Sequence, residues 1–281
     1  MQSECPFCRG PAESMPWEGR ECSQCGSVSI LTLPSAKELE TFYDTFNKDY
    51  DGGGGHLERY AKRYLREALR LGRGGRLVDV GPSLSPFPNL ARQAGYQVTA
   101  IDYIRPAGLH PDIDFIVGNL NSEKVLEELT EPFDIVCNFA VIEHCMYPDL
   151  ACKILSSLCK PGGHIVLMTP EIGTFATSNA LGRSGWFCPP QHLNLISKEA
   201  LIGLFDRHGV RLVSSHRLEL NAWRWLARYG GGTLEGCLGM MIKKTSRRVW
   251  EKQRNRRVHW YKGMAMYLFE KRNDNGPMRS R

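Results

Sequence analysis

Five short β-rich runs, RLVDV (76–80), QVTAID (97–102), IDFIV (113–117), FDIVCNF (133–139) and HIVLMT (164–169), recur with helix-compatible segments between them. This alternation limits the fold more than any other feature of the chain. Strands joined by crossover helices pair in parallel, and a parallel sheet must be covered on both faces, so the expected class is α/β and Rossmann-like with helices on both faces. A ligand is expected in the crevice beyond the C-terminal ends of the strands. HLERYAKRYLREALRLG opens the unit, with Leu57, Tyr60, Ala61, Tyr64, Leu65, Ala68 and Leu69 on one helical face before Gly72 ends it. At 281 residues, 42% hydrophobic, the chain has room for one main domain and a smaller appendage.

The loop after the first of these strands, VDVGPSLSPFPNL (78–90), carries one glycine and three prolines. A dinucleotide site needs successive backbone N–H donors at a helix N-terminus, and glycines that let the chain approach the pyrophosphate. Pro82 and Pro86 have no N–H, and Ser83 and Ser85 add side chains where close approach is required. NAD and ATP therefore fit poorly. S-adenosylmethionine (SAM) has adenosine without phosphate, and its methionyl arm needs a bend and polar groups. Gly81 supplies the bend, Asp79 lies near the ammonium position, and the Ser83 and Ser85 hydroxyls are placed to meet the carboxylate. Asp102 closes the second strand 21 residues after Gly81, where such folds set a carboxylate against ribose hydroxyls; a cap on the next turn is the other reading.

CPFCRG and CSQCGS place Cys5, Cys8, Cys22 and Cys25 in two CxxC pairs, each followed within two positions by glycine. Two such turns close a tetrahedral thiolate site, which predicts a structural zinc in a small ribbon. A closed four-sulfur site has no open position for catalysis. The remaining cysteines (137, 145, 152, 159, 188 and 237) are scattered and read as small buried hydrophobes. The N-terminal MQSECPFC has no basic or apolar leader, and no 18-residue apolar run occurs. Reduced thiols and a cytoplasmic protein are expected.

These pieces together resemble the class I SAM-dependent methyltransferases, in the branch with an N-terminal zinc ribbon. The matching segments are CPFC…CSQCG, LPSAKELETFYD, the glycine–proline loop, FDIVCNFAVIEHCMYPD, CKPGGHIVLMTP and QHLNLISKEALIGLFDRHGV, in order over residues 1–216. The resemblance implies a seven-stranded, mainly parallel sheet whose last strand is GMAMYLFEK (263–271). It makes Gly81 the first loop glycine, Asp102 the ribose carboxylate and Asn119 the adenine contact, with Phe139 and Ala140 facing sulfonium and acceptor. It places three candidates for the chemistry: Glu143 and His144 in VIEHC, and His192 in PPQHLNL, the first choice as base. The resemblance also implies that relatives in the ubiquinone pathway use nearby acidic residues and the histidine at the position of His144 around a divalent cation. The supporting carboxylates are not evident here, so no catalytic metal is expected.

The expected organisation is a ribbon (1–34), a helical linker with a Gly-rich hinge (35–55), the SAM-binding domain (56–216), a basic and aromatic helical insertion (217–260), and a last strand with tail (261–281). Residues 243–281 hold 13 Lys/Arg against 3 Asp/Glu, so the net charge of +6 is a C-terminal property. Residues 243–257 alone carry eight basic side chains and one acid. A solvated helix face is the plain reading; an anionic membrane surface, with the protein peripheral to it, or RNA are the functional ones. Trp186 and Phe187 are candidates to wall the acceptor pocket. The expected function is methyl transfer to a small-molecule or carrier-linked acceptor such as a sugar or natural-product intermediate. RNA methylation, and a non-catalytic binding protein on the same fold, are the alternatives. The sequence leaves the oligomeric state open.

Overall fold

The computed structural model describes residues 2–14, 19–49, 56–129, 131–170, 172, 187, 189–217 and 264–273. The glycine run 52–55, Trp186, Cys188, Cys237 and the whole basic segment 243–257 lie outside them.

Seven strands form the main sheet: β5 (Arg76–Val80), β6 (Gln97–Asp102), β7 (Asp114–Val117), β8 (Phe133–Phe139), β9 (Cys159–Pro170), β11 (Val210–Arg217) and β12 (Met264–Lys271). Their order is β11-β12-β9-β8-β5-β6-β7. Pairings from β9 through β7 are parallel, and β12 runs antiparallel to both β9 and β11. The seven-stranded, mainly parallel sheet and its expected final strand are thus present. Chain order reverses between β5 and β8, and these folds open their ligand crevice at that switch point.

Alternation along β5 shows why the sheet needs two covers. Leu77 packs on the face shared with α2 (His56–Arg70) and α3 (Phe87–Gln93), while Val78 and Val80 pack on the opposite face. That second face is covered by α4 (Pro148–Leu158) and α5 (Lys198–Asp206). In α2 the residues Ala61, Tyr64 and Ala68 are buried, at helical spacing, as the apolar stripe predicts. Ser197 caps α5, its hydroxyl oxygen accepting the Ala200 N–H.

One detail differs from the sequence reading. No helix follows β6; residues 103–113 run as turns, because Pro106, Gly108 and Pro111 break any helical register. The KPGG stretch, residues 160–163, lies within β9. Gly162, at φ +74°, takes up the irregularity between the Phe133–Cys159 and Ile135–His164 pairs.

The N-terminal strands β1 (Gln2–Glu4), β2 (Pro11–Ser14), β3 (Gly19–Cys22) and β4 (Val28–Ile30) form an antiparallel sheet. Its fifth strand, β10 (Asn194–Leu195), comes from just before α5. Cys5, Phe7, Ala12 and Cys22 are continuous with the core on the α4/α5 face. From β4 the chain enters α1 (Ala36–Asp49) through a capping box: Ser35 Oγ accepts the Glu38 N–H at 3.2 Å, and Glu38 Oε2 accepts the Ser35 N–H at 2.7 Å.

Candidate functional site

A cavity of about 580 Å³ opens at the C-terminal ends of β5, β6 and β8, within the usual range for small-ligand sites. Asp79, Gly81, Ser83, Ser85, Asp102, Asn119, Phe139, Ala140, His144 and His192 all line it. The sequence had placed these on separate loops. Glu143 is buried behind the wall at 1% exposure.

At the end of β5, Gly81 adopts φ +78°, and a Cβ there would come within 2.5 Å of Val141 Cγ2. Only glycine turns the chain at that point. Four amides of the loop are already used. Gly81 N–H donates to Ile101 O at 2.8 Å, Ser83 N–H to Asp102 Oδ2 at 2.8 Å, Ser85 N–H to Pro82 O at 2.9 Å and Phe87 N–H to Ser85 Oγ at 3.3 Å. Ser85 therefore also helps to start α3, a task added to the one expected of it. Asp102 accepts a second N–H, from Tyr103, at 2.7 Å. Asn119 Oδ1 accepts the Asn121 N–H at 2.7 Å, which orients the amide at the cavity wall.

The electrostatics favour a cation. Burial pushes the Asp79 carboxyl well above the usual carboxylate range, and the nearby Asp102 charge adds to the shift. Burial also raises Asp102, against the two amide donors that lower it. Two desolvated carboxylates at one end of a cavity suit an ammonium or sulfonium and oppose a pyrophosphate.

At the other end, Phe139 is stacked on Tyr64 with ring centres 3.8 Å apart, and Ala140 takes φ +58°, a conformation that costs a non-glycine residue energy. The Ala140 N–H donates to Met168 O at 2.7 Å and holds the turn in place. His144 and His192 meet at 4.7 Å between ring centres. His144 Nδ1 lies 2.7 Å from Gln191 O; a carbonyl only accepts, so Nδ1 carries the hydrogen. Burial and the neighbouring His192 hold the His144 imidazole down to about 3, so it is neutral. Burial pushes Glu143 up to about 8; Thr169 Oγ1 donates to its Oε2 at 3.0 Å, while Oε1 has no partner among the described residues. Ligand atoms of Glu143, His144 and His192 lie within 4.8 Å of one another.

Sequence reasoning missed Tyr43. It sits on α1, in the segment read as a linker, yet it lines the cavity with Leu39, one helical turn earlier. Its hydroxyl is 3.1 Å from His144 Nδ1 and its ring stacks on Tyr103 at 6.1 Å. The aromatic character of ELETFYD was the available signal. No local pattern says where such a helix will pack.

Outside the cavity, the Sγ atoms of Cys5, Cys8, Cys22 and Cys25 form one cluster, with contacts of 3.8 Å (Cys5–Cys25) and 3.5 Å (Cys8–Cys22). Backbone N–H groups of Gly10 and Cys25 point at Cys8 Sγ and Cys22 Sγ, each at 3.4 Å. Cys137, Cys145, Cys152 and Cys159 are buried, as the scattered spacing suggested. No helix among the described residues is long and apolar enough to cross a membrane.

A methyltransferase-domain family model matches residues 54–215. The ubiquinone biosynthesis O-methyltransferase of Xanthomonas euvesicatoria pv. vesicatoria is 30% identical over 146 residues, covering 47% of this chain and 60% of that protein. The protein of the same name from Nitrosococcus oceani is 27% identical over 198 residues, covering 66% of this chain and 74% of that one. Among solved structures, the Burkholderia thailandensis 1,6-didemethyltoxoflavin-N1-methyltransferase, with 1,6-didemethyltoxoflavin and S-adenosylhomocysteine bound, superposes with a TM-score of 0.53 at 13% identity over 93% of this chain and 99% of that one. The family match spans more than half of the chain and falls on the sheet and cavity described above, so the chain belongs to the class I SAM-dependent methyltransferases.

Proposed function

We propose that the protein transfers a methyl group from SAM to a small-molecule or carrier-linked acceptor, a natural-product intermediate in preference to a sugar. One observation carries this reading: a single cavity joins a donor end built around Asp79, Gly81, Asp102 and Asn119 to an aromatic acceptor end closed by His144 and His192. The fit to SAM rests on the spent amides and on the two carboxylates. A pyrophosphate would find few free N–H groups, whereas the ammonium meets Asp79, the ribose meets Asp102 and the adenine edge meets Asn119. Tyr43, Tyr60, Tyr64, Phe139 and Leu57 wall the rest, which suits a flat, mostly apolar acceptor body.

When bound, SAM supplies a methyl on a positively charged sulfur, open to in-line displacement. The work left to the chain is to align the acceptor and take its proton. Phe139 and Ala140 stand at the switch point where methyl and acceptor must meet. His192 takes the acceptor proton. His144, held neutral with its hydrogen on Nδ1, packs edge-on to the His192 ring and fixes its orientation. Glu143 is the structural member of the group: its Oε2 accepts the Thr169 hydroxyl, and its backbone carbonyl accepts the Leu193 N–H at 2.9 Å, next to His192.

The four cysteines fit a structural zinc. A tetrahedral site with Zn–S bonds of about 2.3 Å sets its sulfurs roughly 3.8 Å apart, close to the two contacts present. RNA or membrane binding through residues 243–257 falls outside the described residues, and no described feature favours either.

Calorimetry with S-adenosylhomocysteine and with NAD, then labelled-methyl transfer into small-molecule extracts, tests the reading. Binding of the homocysteine product without binding of NAD is expected. His192→Ala should lower kcat by about 100-fold or more, with product affinity unchanged within about threefold. Tighter binding of NAD would overturn the donor assignment, and full turnover by His192→Ala would overturn the base.

A further inference from the structure

We infer that the four-cysteine ribbon is the positioning element for the acceptor end of the cavity, so that its metal controls where His192 sits while leaving the donor end intact. The inference rests on the proposed site and assigns the ribbon a task within it.

The two ends of the cavity differ in what holds them. The donor end is built from β5, β6 and the loops that follow them, and its hydrogen bonds run within residues 79–146, with Asn138 Nδ2 donating to Val80 O and the Met146 N–H to Asn121 Oδ1. The acceptor end is tied to the ribbon from two sides. On one side, β4 pairs with β10, placing Ser29 opposite Asn194 and Val28 opposite Leu195. The Ile30 N–H donates to Leu193 O at 2.9 Å, one residue from His192. Ser27 Oγ accepts the Ser197 N–H at 2.9 Å and lies 3.1 Å from Ser197 Oγ, and both serines are buried. Arg207, just after α5, donates to Phe7 O at 2.9 Å between the paired cysteines. On the other side, the chain leaving β4 becomes α1 and brings Tyr43 to His144 Nδ1.

The metal matters because of how the ribbon closes. Ser27 follows Cys25 by two residues, and β4 begins at Val28. The Cys22 N–H donates to Ser27 O at 3.0 Å and the Gly26 N–H to Cys22 O at 2.9 Å, so the second CxxC turn sets the start of β4. Without the metal, the four sulfurs lose the Zn–S bonds that hold this turn. Ser27 and Ile30 then lose their register against residues 193–197, and His192 loses its fixed place beside His144.

Amide hydrogen exchange on the full chain, with zinc content measured in parallel, tests this. Removing the metal with a zinc chelator should speed exchange at Ile30 and Ser197 by about tenfold or more, while the Kd for S-adenosylhomocysteine stays within about threefold. Ser27→Ala, studied with the metal in place, covers the case in which the metal-free chain unfolds. It should speed exchange at Ser197 in the same direction, lower kcat and leave the KM for SAM unchanged. Unchanged protection of Ser197 in Ser27→Ala, or loss of product binding in that folded variant, would overturn the inference. If the wild-type chain failed to bind S-adenosylhomocysteine at all, the donor assignment would fall, and the exchange data would still decide the role of the ribbon.

Discussion

At the scale of single residues, the proposed donor end trades stability for binding. Asp79 is buried beside a second carboxylate, and its folded-state pKa lies above that of the unfolded chain. Its contribution to stability is complete at pH values below the ordinary carboxylate range and is lost as the pH rises through the raised folded value. At neutral pH the ligand-free protein therefore carries a cost that a cationic ligand removes. Asp79→Asn should raise the Tm of the ligand-free protein by roughly 2–8 °C and weaken SAM binding by about tenfold or more, measured by thermal unfolding and calorimetry. A variant that gained stability and kept full affinity would show that Asp79 does not meet the ligand. Gly81 is constrained by packing as well as by its dihedral angle. Gly81→Ala should destabilise by about 1–3 kcal/mol in denaturant titration, because its Cβ has Val141 in the way.

At the scale of elements, two short segments decide the site. One is the 81–87 loop, where prolines and internal bonds use up the amides that a phosphate would need. The other is the 3₁₀ turn Ile142–His144 after β8, which points Glu143 inward to Thr169 and sets His144 on the cavity wall. Burial raises Glu143 from 4.5 to about 8, so its contribution to stability is whole below pH 4.5 and lost as the pH climbs through 8. The Tm should fall between about pH 5 and pH 8 and level off above that. Glu143→Gln keeps an oxygen for the Thr169 hydroxyl and cannot ionise, so it should flatten that fall in thermal scans across the same range. If the slope persists in the variant, another group is responsible. The helix α1 is the element whose role local pattern misread. Its capping box was legible at Ser35, but its contact with His144 depends on a partner about a hundred residues away.

At the scale of the whole molecule, ribbon and main domain share one core. Phe7 is 1% exposed and clusters with residues of α4, α5 and the central strands. Phe7→Ala should cost about 3–5 kcal/mol. Chemical denaturation should show it as a shift of a single transition, read alike by ribbon and domain probes. A separate early transition confined to the ribbon would show instead that the two units unfold independently.

The alternation of strands and helices, the paired cysteines and the glycine–proline loop were legible without coordinates, because each depends on chain-local chemistry: side-chain periodicity, turn geometry, the absence of an N–H on proline; the candidate histidines came from the family resemblance. Packing decided what those patterns leave open: that α1 walls the cavity, that β10 joins the ribbon's sheet, and that His144 and His192 lie face to edge. Such contacts pair residues far apart in the chain, and they are chosen by burial and hydrogen-bond satisfaction over the entire fold, which no short stretch of sequence contains.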